Sequence, residues 1–387
     1  MNTKKLSWLN NLFQKELDEK RVLGASIQIE HKGKTAFHNI YGSDKEDTIY
    51  KIFSMTKPIT ATAIMILAER GLIDLQEPAD KYIPGLKNMK VSTKEGLVDA
   101  KTRITIQHLL NMTSGIAYPW EEGVPEKGML DIQQDLLKRM EKGEKIDIVK
   151  ICNCFAEAPL DFEPGTSWKY GASADFLGAI VQIITGMRYG DFLKQEIFEP
   201  LRMVDTDFKV AEEKRPRLAK VYSRADEEGH LVEAPADEPK ILRLLQPEEN
   251  PDIEAGGAGL YSTLEDYIHF VRMLVGKGTF EGRQILGRKT VEYMGKNQLT
   301  PEQLKTVYFE SIYGYGYGNL MRVMLDTSVA ASNGSVGEYG WDGLAGTYFF
   351  VDPKEELVMV YMQQILQGGD VSLRRKMRQI IYGALSE

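Results

Sequence analysis

Ser54-Met55-Thr56-Lys57 sets a hydroxyl and an amine three residues apart, followed at once by Pro58 and a run of helix-forming residues. Proline has no N–H to donate and fits only the first turn of a helix, so the spacing predicts a helix start near Ser54 or Met55. At that position unpaired backbone N–H groups and the positive end of the helix dipole favour an anion, which is what an acyl-transfer intermediate presents. Lys57, at i+3, lies on the same helical face as the Ser54 hydroxyl. A lysine desolvated there can help take the serine proton. Two fixed positions in four make a short pattern, and a solvated Ser and Lys on a surface helix is the competing reading.

The elements that must hold this helix start are readable at both ends of the chain. Leu6, Leu9, Phe13 and Leu17 share one side of an amphipathic first helix. Ala25, Ile27 and Ile29 alternate with Ser26, Gln28 and Glu30, the period of a half-buried strand, and a return strand over Thr35 to Tyr41 makes a hairpin. Strands are expected again at Gly314 to Val323, Gly346 to Asp352 and Leu357 to Gln363, before a last helix from Ser372 to Leu385. Between lie helices over Thr60–Arg70, Thr105–Met112, Asp131–Glu141, Ala174–Thr185, Tyr189–Phe198 and Leu264–Val275, the last capped by Thr263 with Asp266 or Ser262 with Glu265. Gly71 and Gly186 fit as terminators. The pattern predicts an α+β fold whose sheet is built from both chain termini, with a mostly helical region inserted. We expect residues 1–75 and 255–387 to form an α/β domain with the antiparallel sheet, 76–254 a mostly helical domain, and the active site to lie between them. Residues 209–254, rich in charge and proline, read as a long surface excursion.

Bulk composition excludes several other roles. With 43% hydrophobic and 27% charged residues the chain is an ordinary globular protein. A net charge of -8 and no long basic run argue against nucleic acid as a partner. Cys152 and Cys154 are too close for an ordinary disulfide and lack a second ligand pair, so they read as free thiols; the five histidines show no metal-ligand spacing. No metal or cofactor is expected. The first helix is too polar for a signal peptide, which points to a cytoplasmic protein with no membrane segment.

Six blocks in order carry a resemblance: Ser54 to Pro58; Leu109 to Gly115; Pro164-Gly165-Thr166; Tyr170 to Ser173 with Asp175 and Leu177-Gly178; Gly256 to Leu260 with Ser262-Thr263; and Gly340 to Gly343 with Ala345-Gly346-Thr347. Together they resemble the β-lactamase-related serine hydrolases, with the nearest likeness to family VIII carboxylesterases and class C β-lactamases, over nearly the whole chain from about Gly24. The resemblance implies the α/β sandwich of the β-lactamase/transpeptidase type. It also implies Ser54 as nucleophile, Tyr170 near Lys57 as general base and later proton donor, and an oxyanion hole from the backbone N–H groups of Ser54 and Leu344. For Tyr170 to act as a base near neutrality its phenolate would need a neighbouring cation, and Lys57 is the candidate.

Three departures bear on the substrate. Ala172 stands where class C β-lactamases carry the asparagine of Tyr-x-Asn, and Trp341-Asp342-Gly343 stands where they carry Lys-Thr-Gly. The first removes an amide that orients a substrate; the second removes a cation for a substrate carboxylate and adds Asp342, whose charge would repel one. Met112, in a block that often reads His-Thr-Ser-Gly, is expected to be structural. Tyr118, Trp120 and Tyr339 are aromatic loop residues that could line a pocket or simply pack. A carboxylesterase on small or medium acyl esters is the expected activity, taking a small-molecule ester or amide and binding substrate near Ala172, Trp341, Asp342 and Gly343. A β-lactamase or D-alanyl-D-alanine carboxypeptidase is the alternative, and a non-catalytic sensor module a third.

Overall fold

The computed structural model describes residues 1–119, 122–225, 230–235, 239–245, 252–366, 368 and 370–386. Its centre is a sheet of seven strands: β1 Gly24–His31, β2 Lys34–Gly42, β3 Tyr315–Gly318, β4 Met321–Met324, β5 Tyr339–Asp342, β6 Tyr348–Asp352 and β7 Leu357–Met362. The order is β3-β4-β5-β6-β7-β1-β2, and the neighbours pair antiparallel. Strands from the two ends of the chain therefore meet where Ile27 faces Tyr361.

Two strand expectations change. β1 is buried on both faces rather than one, because Ser26, Gln28 and Glu30 lie under a helix and not in solvent. Their polar groups are satisfied there: Tyr50 donates to Ser26 at 3.1 Å, Gln28 to Glu30 at 2.6 Å, and Arg272 to Glu30 at 2.9 Å. The stretch Gly314 to Val323 is two strands, β3 and β4, joined at Asn319 and Leu320, both left-handed with φ of 49° and 62°. A two-residue turn of that hand matches the twist of a hairpin.

Helices cover both faces. On one, α1 Trp8–Asp18 and the C-terminal helix pack Leu9, Phe13, Met377 and Ile381 against Ala25, Ile27 and Ile29. On the other lies the helix Leu264–Val275, and beyond it α2 Thr56–Glu69 is buried from Thr56 to Leu67. An apolar circumference of that kind belongs to a helix enclosed by other elements, and α2 runs through the middle of the molecule. One apolar core joins it to α3 Ile106–Leu110, α4 Val124–Glu141, α5 Ile148–Phe155, α6 Ser173–Thr185, which packs directly on it, and α7 Leu264–Val275. Thr263 caps α7 by accepting from Asp266 N, and Gly186 ends α6 at φ 67°. The C-terminal helix is α8, Val371–Gly383. Cys152, buried, and Cys154, half-buried, are both free on α5.

The 209–254 segment is not wholly a surface excursion. Tyr222–Arg224 and Leu231–Glu233 form a small hairpin, and the Tyr222 N–H donates to Gln364 O at 2.8 Å. Leu242, Leu244 and Leu245 are buried. With Ile253, also buried, they anchor the segment to the core. Pro247 and Pro251 fall outside the described residues. Among those residues, no helix is long and apolar enough to cross a membrane.

Candidate active site

A turn of 3-10 helix, Phe53–Met55, leads into α2, so Ser54 stands two residues ahead of the helix and Pro58 sits in its first turn. Phe53 adopts φ 43°, a left-handed conformation that costs a residue with a Cβ about 1 kcal/mol or more. It is held by burial of its ring and by flanking hydrogen bonds, Ile52 N to Leu260 O at 3.1 Å and Met55 N to Ile52 O at 3.0 Å. The bend turns the Ser54 side chain out of the core and into a cavity.

Lys57 is fully buried, and its amine donates to Ser54 Oγ at 3.2 Å, the Tyr118 hydroxyl at 3.0 Å and Gly257 O at 2.7 Å. Three acceptors saturate an ammonium. Burial pulls its pKa down to about 7, against the opposing attraction of Asp175 and Asp342. Burial therefore favours the free amine, the form able to accept a proton.

The Tyr170 hydroxyl donates to Ser54 Oγ at 2.7 Å and accepts from Trp341 Nε1 at 3.3 Å. Its ring lies between Trp341, with centroids 5.6 Å apart, and Phe309, 5.3 Å away. Gly171 makes this approach possible, since a Cβ there would meet Ile116 O at 1.9 Å. Desolvation pushes the Tyr170 pKa up, with the Ser54 and Trp341 hydrogen bonds only partly offsetting it. Burial thus favours the protonated Tyr170, the form that donates to Ser54, over its phenolate.

The β5–β6 turn closes the site. Gly343 N donates to Thr347 O at 2.8 Å, and a Cβ on Gly343 would lie 2.5 Å from Ile52 O, so the turn packs directly on the residues before Ser54. Leu344 and Ser54 share one cavity wall. That places the two N–H groups expected of an oxyanion hole on adjoining segments.

Three of the four expected substrate contacts need correction. Ala172 is wholly buried at the start of α6, so its side chain is not presented to a ligand. Trp341 is buried and acts on Tyr170. The Asp342 carboxylate is taken by Arg374 of α8, so it is a paired charge and not one free to repel a substrate. Gly343 stays at the site through its backbone. Tyr118, which sequence left as pocket or packing, holds Lys57; its place just after Thr113-Ser114-Gly115 was the available signal. Tyr339 packs in the core against Gly295, Met112 is buried, and Trp120 lies outside the described residues.

The cavity at Ser54 measures about 880 Å³. Trp168, Tyr308, Phe309, Phe162 and Leu242 give it an apolar body. Glu122, Glu126, Asp161 and Lys169 stand at its polar side, and Lys169 is paired with both Glu126 and Asp161. Leu242 comes from the segment read as a surface loop and had no sequence signal for this role.

A family model described as Beta-lactamase matches residues 9–382. The chain belongs to the beta-lactamase family. Within it, the chain is a serine hydrolase similar to the esterase branch. Protein Rv1367c of Mycobacterium tuberculosis is 30% identical over 330 residues, covering 83% of this chain and 78% of that one. Esterase EstB of Burkholderia gladioli is 27% identical over 397 residues, covering 97% and 94%. The structure of simvastatin synthase (LovD) from Aspergillus terreus matches with TM-score 0.83 at 22% identity, over 99% of each chain. EstCE1, a hydrolase with promiscuous acyltransferase activity, matches with TM-score 0.80 at 21% identity, over 98% of this chain and 99% of its own. The two structural likenesses establish the family's α+β fold.

Proposed function

We propose that this protein is a carboxylesterase that passes the acyl group of a small or medium ester to Ser54 and then to water. The observation that carries the reading is the double contact on Ser54 Oγ, from Lys57 Nζ at 3.2 Å and the Tyr170 hydroxyl at 2.7 Å, at the mouth of a largely apolar cavity. Neutral Lys57 takes the Ser54 proton as Oγ attacks the ester carbonyl, and the tetrahedral oxyanion is met by the N–H groups of Ser54 and Leu344. Tyr170 gives its proton to the departing alkoxide and is reprotonated from Lys57, leaving the acyl-enzyme and a free alcohol. Water repeats the sequence in reverse, releasing the acid. The esterase named among the relatives supports this reading.

Hydrolysis of p-nitrophenyl butyrate by wild type and Ser54→Ala tests it: loss of roughly 10⁴-fold or more is expected for the variant, together with loss of covalent labelling by a fluorophosphonate. Full activity in Ser54→Ala would remove the nucleophile assignment. Acyl transfer to an alcohol in place of water is a second reading, favoured by relatives named as acyltransferases. A β-lactamase or peptidase is disfavoured, because Lys169, the cation on the cavity wall, is already held by two carboxylates. Chromogenic cephalosporin turnover matching ester turnover would reverse that order. A cytoplasmic setting is part of the same proposal.

A further inference from the structure

Asp175 belongs to the block that follows Tyr170, and the reaction above gives it no task. It lies in the first turn of α6, wholly buried. Its Oδ1 accepts the Gly257 N–H at 2.8 Å, while Oδ2, also buried, has no hydrogen-bond partner. The carbonyl of that same Gly257 accepts from Lys57 Nζ at 2.7 Å. Next to it, the Gly256 carbonyl accepts from Thr60 Oγ1 at 2.6 Å, one turn along α2 from Lys57. The glycines are what let the backbone pass here. A Cβ at 257 would lie 2.9 and 3.0 Å from the two Asp175 oxygens and 3.0 Å from the Tyr118 hydroxyl, and one at 256 would lie 2.3 Å from Ala174 O.

A buried carboxylate with one oxygen left bare is costly unless a cation is near. Lys57, across Gly257, is that cation. We propose that Asp175 is a positioning residue for the catalytic lysine: through Gly257 it fixes where the amine sits, and its charge governs how much of Lys57 remains protonated before acylation. The proposal rests on Ser54 and Lys57 being the acylating pair.

The groups facing this pair from neighbouring elements are few. Lys57 is faced by Ser54, by Tyr118 and Tyr170 from the two loops, and by Asp342 from β5. Asp175 is faced by Cys152 of α5, Tyr118, Tyr170 and Tyr189, and Asp342 is already paired with Arg374. Burial raises the Asp175 pKa to about 6, with Lys57 opposing. The sign follows directly. An Asp175 anion favours the ammonium, so removing that charge lets Lys57 stay neutral to lower pH.

Asp175→Asn keeps an acceptor for the Gly257 N–H at nearly the same volume. In kcat/KM for p-nitrophenyl butyrate against pH, the rising limb of the wild type reports deprotonation of Lys57. Its midpoint should move down by about one pH unit in the variant, and the pH dependence of Ser54 labelling by a fluorophosphonate should move with it. Lower activity at every pH with an unmoved midpoint is the mark of a merely structural residue and overturns the proposal. Ester hydrolysis that survives in Ser54→Ala sinks the acyl-serine reading instead, so the two failures are distinct. Should Asp175→Asn not fold, ¹³C NMR titration of wild-type Lys57 Cε and Asp175 Cγ decides: each signal is expected to show an inflection where the other group titrates, and independent single curves overturn the coupling.

Discussion

Around Ser54 each side chain is held by a different kind of force. Lys57 is kept by three acceptors, and removing one leaves a buried donor unmatched. Tyr118→Phe should therefore lower kcat for p-nitrophenyl butyrate by roughly 10-fold, equivalent to about 1.4 kcal/mol, with little change in KM. Tyr170→Phe removes the proposed proton donor to the leaving group and should cost more, about 10²–10⁴-fold. Its deficit should shrink for esters whose alcohol is a good leaving group, such as p-nitrophenol, and grow for ethyl esters. Equal deficits for both would place Tyr170 outside proton transfer. Helix-start chemistry marked Ser54 and Lys57 in the sequence and block order added Tyr170, and the three side chains meet in the structure. Tyr118 was not singled out, because it lies outside the six blocks and its contact with Lys57 arises only in the folded chain.

Loops and turns bring these residues together, and glycines decide where they fit. Gly343→Ala would set a Cβ 2.1 Å from Thr347 Oγ1 and 2.5 Å from Ile52 O. The second contact is backbone just before the nucleophile and has little room to move. The turn must shift, taking the Leu344 N–H with it, and kcat should fall by about 10²-fold with a smaller effect on KM. Gly383→Ala, whose added Cβ would meet nothing within 4 Å, is the control expected to keep full activity. Helix positions were largely readable: α7 runs over Leu264–Val275 as expected, since its cap and apolar stripe are local signals. Strand β5 was seen only as a motif, because four residues are too few for a period to show.

Across the whole molecule the C-terminal helix is tied to the site through Arg374 and Asp342, whose side chains are 10% and 22% exposed. Arg374 also lies over the Tyr348 ring at 5.0 Å. Arg374→Met should leave Asp342 as a poorly solvated charge, lowering stability by roughly 2 kcal/mol and Tm by several degrees. Adding Asp342→Asn should recover much of that loss. A double variant no more stable than Arg374→Met alone would show that the pair carries no coupling.

What the sequence determined by itself is what short-range chemistry dictates: a helix start beside Ser54 with Lys57 on the same side of it, strands at both chain ends, capped helices between them. Order among the blocks added the family. Tertiary structure decided everything that depends on a partner distant in the chain. Asp342 changed from a repelling charge to a paired one because α8 delivers Arg374 to it. Leu242 became a cavity wall because a loop folds inward, and Ser26, Gln28 and Glu30 were buried because a helix covers them. The Lys57 amine is pushed toward its neutral form because the elements enclosing it exclude water. Desolvation and pairing are properties of three-dimensional neighbourhood, and no local pattern of residue types encodes them.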